Sequence, residues 1–221
     1  MMFVLCIVCM HCTKFDEYKK YMPDGEIIYP QRADSVKTYP GRNRIQLEWV
    51  LIDPKVTSCE VFYEQDGVQN SSVVNTNGSG YENDTISIVI PDLNETTYVF
   101  KIVSYDDLGH TSIPVETVES AFGEMYEGTL LNRLLKSYSY SEGEGLTLEW
   151  HNASATEIGI TLDYTSINGN SQTIMVSSSE ISTSIPDFKI SEPLYYSTMY
   201  KPVPAAIDTF YAQTVEELIQ N

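Results

Sequence analysis

The residues with the most obvious chemistry open the chain. The stretch "CIVCMHC" sets Cys6, Cys9 and Cys12 at a C-x2-C-x2-C spacing, with His11 between the last two. Thiolates at that spacing begin many iron–sulfur and zinc ligand sets. A ferredoxin-like run needs a further cysteine at position 16, where Asp16 stands. A c-type haem needs histidine directly after the second cysteine of a C-x-x-C, where Met10 and Thr13 stand. Metal thiolates also require a folded, polar-supported surround, whereas Met1–Met10 reads "MMFVLCIVCM". The remaining cysteine, Cys59, falls in an alternating apolar pattern and reads as a small buried hydrophobe. No cofactor is expected.

The other candidate groups are no better arranged. His11, His110 and His151 are too dispersed for a histidine zinc site. No nucleophile elbow or P-loop is present, and "GEG" at 143–145 lacks the third glycine of a dinucleotide loop and precedes a strand pattern. Adjacent acids such as Asp106–Asp107 and Glu216–Glu217 arise readily among 31 acidic residues. "YENDT" at 81–85 and "YDDLGH" at 105–110 offer hard oxygen ligands, but neither has the spacing of a calcium loop. Tyr126, Tyr138, Tyr140, Tyr195, Tyr196 and Tyr200 cluster late in the chain. Exposed rings of that kind stack on the apolar face of a sugar. These residues point away from an enzyme.

The elements that carry them must belong to a folded protein. Hydrophobic residues make up 42% of 221, with 16 Tyr and 7 Phe, which excludes a disordered chain. Thirteen basic against 31 acidic residues leave a formal charge of −18, which repels phosphate backbones, so no nucleic-acid partner is expected. No apolar run reaches the length of a spanning helix, and Met1–Met10 has the length of a signal-peptide apolar region.

The chain repeats itself. "IQLEW" at 45–49 returns as "LTLEW" at 146–150, placing Trp49 and Trp150 101 residues apart, and Tyr63 and Tyr164 are separated by the same interval. "ISIVIPDL" at 86–93 returns as "ISTSIPDF" at 181–188. Apolar residues alternate in Ile45, Leu47, Trp49 and in Leu146, Leu148, Trp150, as half-buried strands require. Helical periodicity is confined to "TVEELIQ" near the C-terminus and "GTLLNRLLKS" at 128–137. The expected fold is all-β, a tandem of two immunoglobulin-like β-sandwiches. The expected parts are a signal segment 1–12, a stalk 13–33, sandwiches at 34–122 and 123–212, and a tail 213–221. In 90–112 the spacing of Leu93, Tyr98, Phe100 and Ile102 before a glycine turn resembles the fibronectin type III pattern, whose corner tyrosine bonds backbone. Tyr98 then marks the corner, Trp49 the core of the second strand, and Tyr63 the third. Trp150 and Tyr164 are their second-copy counterparts. The second corner is less clear: two extra residues are needed to bring Tyr195 into place.

With these stretches in view, the chain resembles a family of Bacteroides-type surface lipoproteins catalogued as domain-of-unknown-function family 4998. The resemblance rests on "CTKFDEYKKY" (12–21), "GEIIYPQRADSVKTYPGRNRIQLEWVLIDPKV" (25–56), "DTISIVIPDLNETTYVFKIVSYDDLGH" (84–110), "LLNR" (130–133) and "AIDTFY" (206–211). It implies export, lipidation at Cys12, attachment to the outer membrane at the cell surface by the lipid alone, and tandem fibronectin-like sandwiches. "DSV" at 34–36 and "DTI" at 84–86 fit the O-glycosylation triplet of that phylum, marking Ser35 and Thr85. The expected function is non-enzymatic binding of an extracellular glycan or a surface protein beside a polysaccharide-uptake system. A structural or adhesive spacer is the alternative.

Overall fold

The computed structural model describes residues 29–76 and 85–220. Cys12, the signal segment and residues 13–28 of the expected stalk lie outside the described residues, as does Asp84 of the second glycosylation triplet.

Seven strands build a first sandwich: β1 (Asp34–Gly41), β2 (Arg44–Val50), β3 (Val56–Gln65), β4 (Val68–Asn75), β5 (Thr85–Ile90), β6 (Thr97–Asp106) and β7 (Val115–Ser120). They divide into a three-stranded sheet, β1-β2-β5, and a four-stranded sheet, β4-β3-β6-β7, with every pairing antiparallel. Alternation dictates this packing, because successive side chains on a strand point to opposite faces. On β2, Ile45, Leu47 and Trp49 are fully buried while the residues between them are not. They meet Val61, Phe100 and Ile102 of the facing sheet in one core. Asp66 and Gly67 join β3 to β4 with positive φ at both positions (55° and 75°), the backbone twist that a two-residue hairpin turn demands.

The second sandwich repeats the order with β8 (Leu135–Ser141), β9 (Gly145–Trp150), β10 (Glu157–Thr165), β11 (Ser171–Ser177), β12 (Ser182–Ile185), β13 (Pro193–Tyr200), β14 (Phe210–Tyr211) and β15 (Val215–Leu218). Its sheets are β12-β9-β8 and β11-β10-β13, with β14 and β15 both pairing with β13. Leu146, Leu148, Trp150, Leu162, Phe188 and Leu194 fill its core. The molecule is all-β: two tandem sandwiches of fibronectin type III-like strand order. No described helix is long and apolar enough to cross a membrane.

Both helical expectations fail. Residues 215–218 are the edge strand β15, and 128–137 are a turn at 128–129, an irregular lead-in at 130–134 and the start of β8. In each place tertiary hydrogen bonds outcompete a short helix, which is unstable by itself. Tyr200 Oη donates to the Leu131 carbonyl, the Arg133 amide donates to Thr198 Oγ1 at 2.8 Å, and the His151 amide donates to the Leu134 carbonyl at 3.0 Å. The one helix described is a single turn, α1 (Glu124–Glu127).

Strand register gives the exact correspondence between the copies. Val61 faces Ile102 across β3 and β6, and Leu162 faces Tyr196 across β10 and β13. The third strand is therefore displaced by 101 residues (61 to 162) and the sixth by 94 (102 to 196). The counterpart of Tyr98 is thus Glu192, just before β13, while Tyr195 points outward and is 38% exposed. In the first copy the Tyr98 hydroxyl lies 3.1 Å from the Asn94 carbonyl and 2.8 Å from Gln65 Oε1. In the second, Tyr164 ties down the matching loop instead, donating to Asp187 Oδ1 at 2.8 Å. Burial and the Asp187 carboxylate push its phenol up to about 12.

Candidate functional site

The densest polar construction crosses between the sandwiches. It starts at the β1–β2 turn, "GRNR" at 41–44. Asn43 takes a positive φ of 50°, which asparagine tolerates, and exchanges hydrogen bonds with Leu93: its backbone carbonyl accepts from the Leu93 amide at 2.8 Å, and its Nδ2 donates to the Leu93 carbonyl at 2.9 Å. The turn is thereby fixed with Arg42 and Arg44 directed at the second sandwich. The Arg44 guanidinium donates to both Asp208 oxygens, Nε to Oδ2 at 2.9 Å, and the Arg42 amide donates to the same Oδ2 at 2.8 Å. The Arg42 guanidinium grips both oxygens of Glu127, whose Oε1 also accepts from the Tyr211 amide at 3.2 Å. Planar forks of this kind fix orientation as well as distance.

Apolar and backbone contacts complete the joint. Phe122, Tyr126 and Phe210 meet edge to face with centroids 5.0 to 6.1 Å apart, and Arg42 lies over the Phe210 ring at 5.2 Å. The Ile207 amide donates to the Pro40 carbonyl at 2.9 Å. Glu95 of the first sandwich accepts from the Met125 and Tyr126 amides, holding the turn of α1. Gly41 permits the close approach: a Cβ there would lie 2.5 Å from Asp208 Oδ2 and 2.7 Å from Ile207 Cγ1. Hydrogen bonds from Arg42 and Arg44 hold the Glu127 and Asp208 carboxyls below their ordinary range. Nothing in the spacing of the sequence flagged these charged pairs, since Arg42 and Asp208 are 166 positions apart.

Clefts flank the joint. One of about 360 Å³ lies between Glu95–Thr97, Ser120–Phe122 and the α1 region. Another, of about 560 Å³ and mostly apolar, runs between Leu130–Leu134 and Gln213–Val215. Nearby in the second sandwich, Arg133 and Glu157 form a buried pair 3.6 Å apart, their side chains 1% and 2% exposed. Arg133 Nε donates to the His151 carbonyl at 2.6 Å, and the Ser154 amide donates to Glu157 Oε2 at 3.2 Å. Burial pushes the Glu157 carboxyl up.

The residues singled out from sequence scatter across this frame. Trp49 and Trp150 lie in separate cores. The Trp150 indole donates to Thr183 Oγ1 at 3.0 Å, whereas the Trp49 indole has no oxygen acceptor and faces the sulfur of Cys59, whose thiol burial pushes up. Tyr63 and Tyr98 pack edge to face at 6.4 Å. Ser35 and Thr85 are brought to the same end of the three-stranded sheet, where Asp34 and Thr85 flank Val50 and both hydroxyl residues line a cavity of about 90 Å³. Asp106 closes its own turn, accepting from the Leu108 and His110 amides and pairing with His110 Nδ1 at 2.7 Å. Among the described residues no three His, Cys, Asp or Glu side chains gather as a metal site. The six clustered tyrosines disperse: Tyr196 and Tyr200 are buried, Tyr140 packs on the core, Tyr126 joins the joint, and Tyr138 and Tyr195 are exposed on different sheets.

The family model described as a domain of unknown function, DUF4998, matches residues 12–210. No curated protein matches the chain. Among solved structures, the FN1-FN3 domains of chicken CNTN1 align at 12% identity and a TM-score of 0.43, covering 87% of this chain and 65% of that one. A two-domain fibronectin type III segment of chicken tenascin aligns at 14% identity and a TM-score of 0.35, covering 86% of this chain and 99% of that one.

Proposed function

The chain belongs to the DUF4998 family, and from that premise we propose that it is a non-enzymatic binding protein of the cell surface, held to the outer membrane by a lipid on Cys12. The joint carries this reading. Two bidentate arginine–carboxylate contacts and a ring cluster fix one sandwich against the other. Loops and sheet faces of both copies are then presented in one orientation, which lowers the ordering cost of engaging a large ligand. An extracellular glycan handled beside a polysaccharide-uptake system, or a surface protein, is the expected ligand class. Glycosylation at Ser35 and Thr85 would occupy one end of the first sandwich and leave its four-stranded face open.

A glycan array and a surface-protein pull-down with the full-length chain test the binding. Specific capture in either supports it, and background signal in both would make the molecule a rigid spacer. Metabolic labelling with a fatty-acid analogue tests the anchor. Label lost in Cys12→Ala is the expected result, and an unlabelled, intact Met1 N-terminus in membrane fractions would refute it.

A further inference from the structure

The duplication places two equivalent rows on the outer faces of the larger sheets, and they differ in one informative way. In the first sandwich the row reads Phe62, Lys101, Glu116 across β3, β6 and β7. There the Lys101 ammonium sits over the Phe62 ring, 5.5 Å from its centroid, and Glu116 stands opposite Lys101 on β7. At the same register the second sandwich reads Asp163, Tyr195, Glu216 across β10, β13 and β15. Directly opposed residues hold their Cβ atoms about 5 Å apart, so Tyr195 is flanked on both sides by an acidic residue.

This second row lacks the cation that completes the first. Tyr195 is 38% exposed and Glu216 is exposed. Asp163 is held by the Thr173 hydroxyl at 2.5 Å. Among the described residues sharing this face on β10, β11, β13 and β15 there is no Lys, Arg or His. Lys189 and Lys201 are engaged elsewhere, with Glu192 and with the Ala206 carbonyl.

We propose that the Asp163–Tyr195–Glu216 row is a docking point for a lysine or arginine side chain of a basic polypeptide partner. The ring quadrupole and two carboxylates attract one cation together. The chain's −18 charge steers such a partner toward it. An anionic polysaccharide is disfavoured on the same face. The inference deepens the surface-protein branch of the proposed function and rests on it.

Binding of a labelled hexalysine peptide to the full-length chain tests the site, with fully Nε-acetylated hexalysine as the neutral control. Tyr195→Lys installs an internal ammonium between the carboxylates. Gln69→Lys, on the outer face of the first sandwich, adds the same charge far from the row. The expected result is salt-sensitive binding of hexalysine alone, weakened about tenfold by Tyr195→Lys and less than about twofold by Gln69→Lys. Equal losses in the two variants would reduce the binding to bulk charge and overturn the site. Binding of a neutral oligosaccharide that Tyr195→Lys abolishes, with hexalysine unbound, would overturn the cation reading while leaving the proposed function standing.

Discussion

Thr183→Val isolates one hydrogen bond in the second core. Thr183 is 7% exposed, Trp150 is 3% exposed, and the indole N–H donates to Thr183 Oγ1 at 3.0 Å. Valine keeps the shape and removes the acceptor. An orphaned buried N–H costs about 1–3 kcal/mol, and the new methyl returns up to about 0.8 kcal/mol. The net loss is then about 1 kcal/mol or somewhat more. The first sandwich supplies a natural reference, because its register puts Ile88 where Thr183 stands, opposite Leu47 as Thr183 is opposite Leu148. Its Trp49 N–H has no oxygen acceptor and faces only the Cys59 sulfur, yet the core forms. Thr183→Val should therefore weaken the second sandwich without preventing its folding. Each copy holds one tryptophan, so in a Trp49→Phe background the emission follows Trp150 alone. With a urea slope of roughly 1–2 kcal/mol/M for a domain of this size, the midpoint should fall by roughly 0.5–1 M. A midpoint that stays put or rises would refute the role given to this bond.

The same geometry dictates three further outcomes. Gly41→Val drives a side chain into Asp208 and Ile207, so small-angle scattering should show a wider spread of inter-sandwich distances while each sandwich melts as before; an unchanged scattering curve would contradict the close approach. Glu127 and Asp208 have lowered carboxyl pKa values, so their contribution to the joint is complete above the ordinary carboxylate range and is lost as pH falls through the lowered values. Scattering from pH 7 to pH 3 should show opening only at the acid end, and opening near neutrality would exclude these carboxylates as the clamp. Tyr98→Phe should cost the first sandwich about 1 kcal/mol and spare the second, with Tyr164→Phe giving the reverse; urea titrations monitored in single-tryptophan backgrounds separate the two.

Much of the fold was legible because it rests on local alternation. Ile45, Leu47 and Trp49 announce a half-buried strand in any context, and the 101-residue return of that pattern announces a second copy. The lead-in at 128–137 was not legible, because its helical spacing of leucines is overridden by Arg133, Leu131 and Leu134 bonding to distant groups. The second corner was missed for a related reason. Tyr195 can be aligned with Tyr98 in sequence, but only the β10–β13 register shows that the chain has shifted and that Tyr164 takes over the task. The joint left no trace in spacing. Its arginines sit in an ordinary polar turn, and their partners arrive from the far end of the chain.

The joint also makes the tandem one-way. The β1–β2 turn offers arginines to the sandwich on its C-terminal side, but the corresponding β8–β9 turn of the second sandwich reads "SEGEG" at 141–145. By register, Gly145 occupies the place of Arg44. Its φ of 84° and the 2.3 Å approach of the Ile185 carbonyl to any added Cβ leave no room for another residue. Glu142 and Glu144 beside it would repel the carboxylates that a copy of the second sandwich brings. Reversing the two sandwiches in a fusion, or adding a third by simple duplication, would not rebuild this coupling. The charges thus encode order along the chain as firmly as they encode attachment.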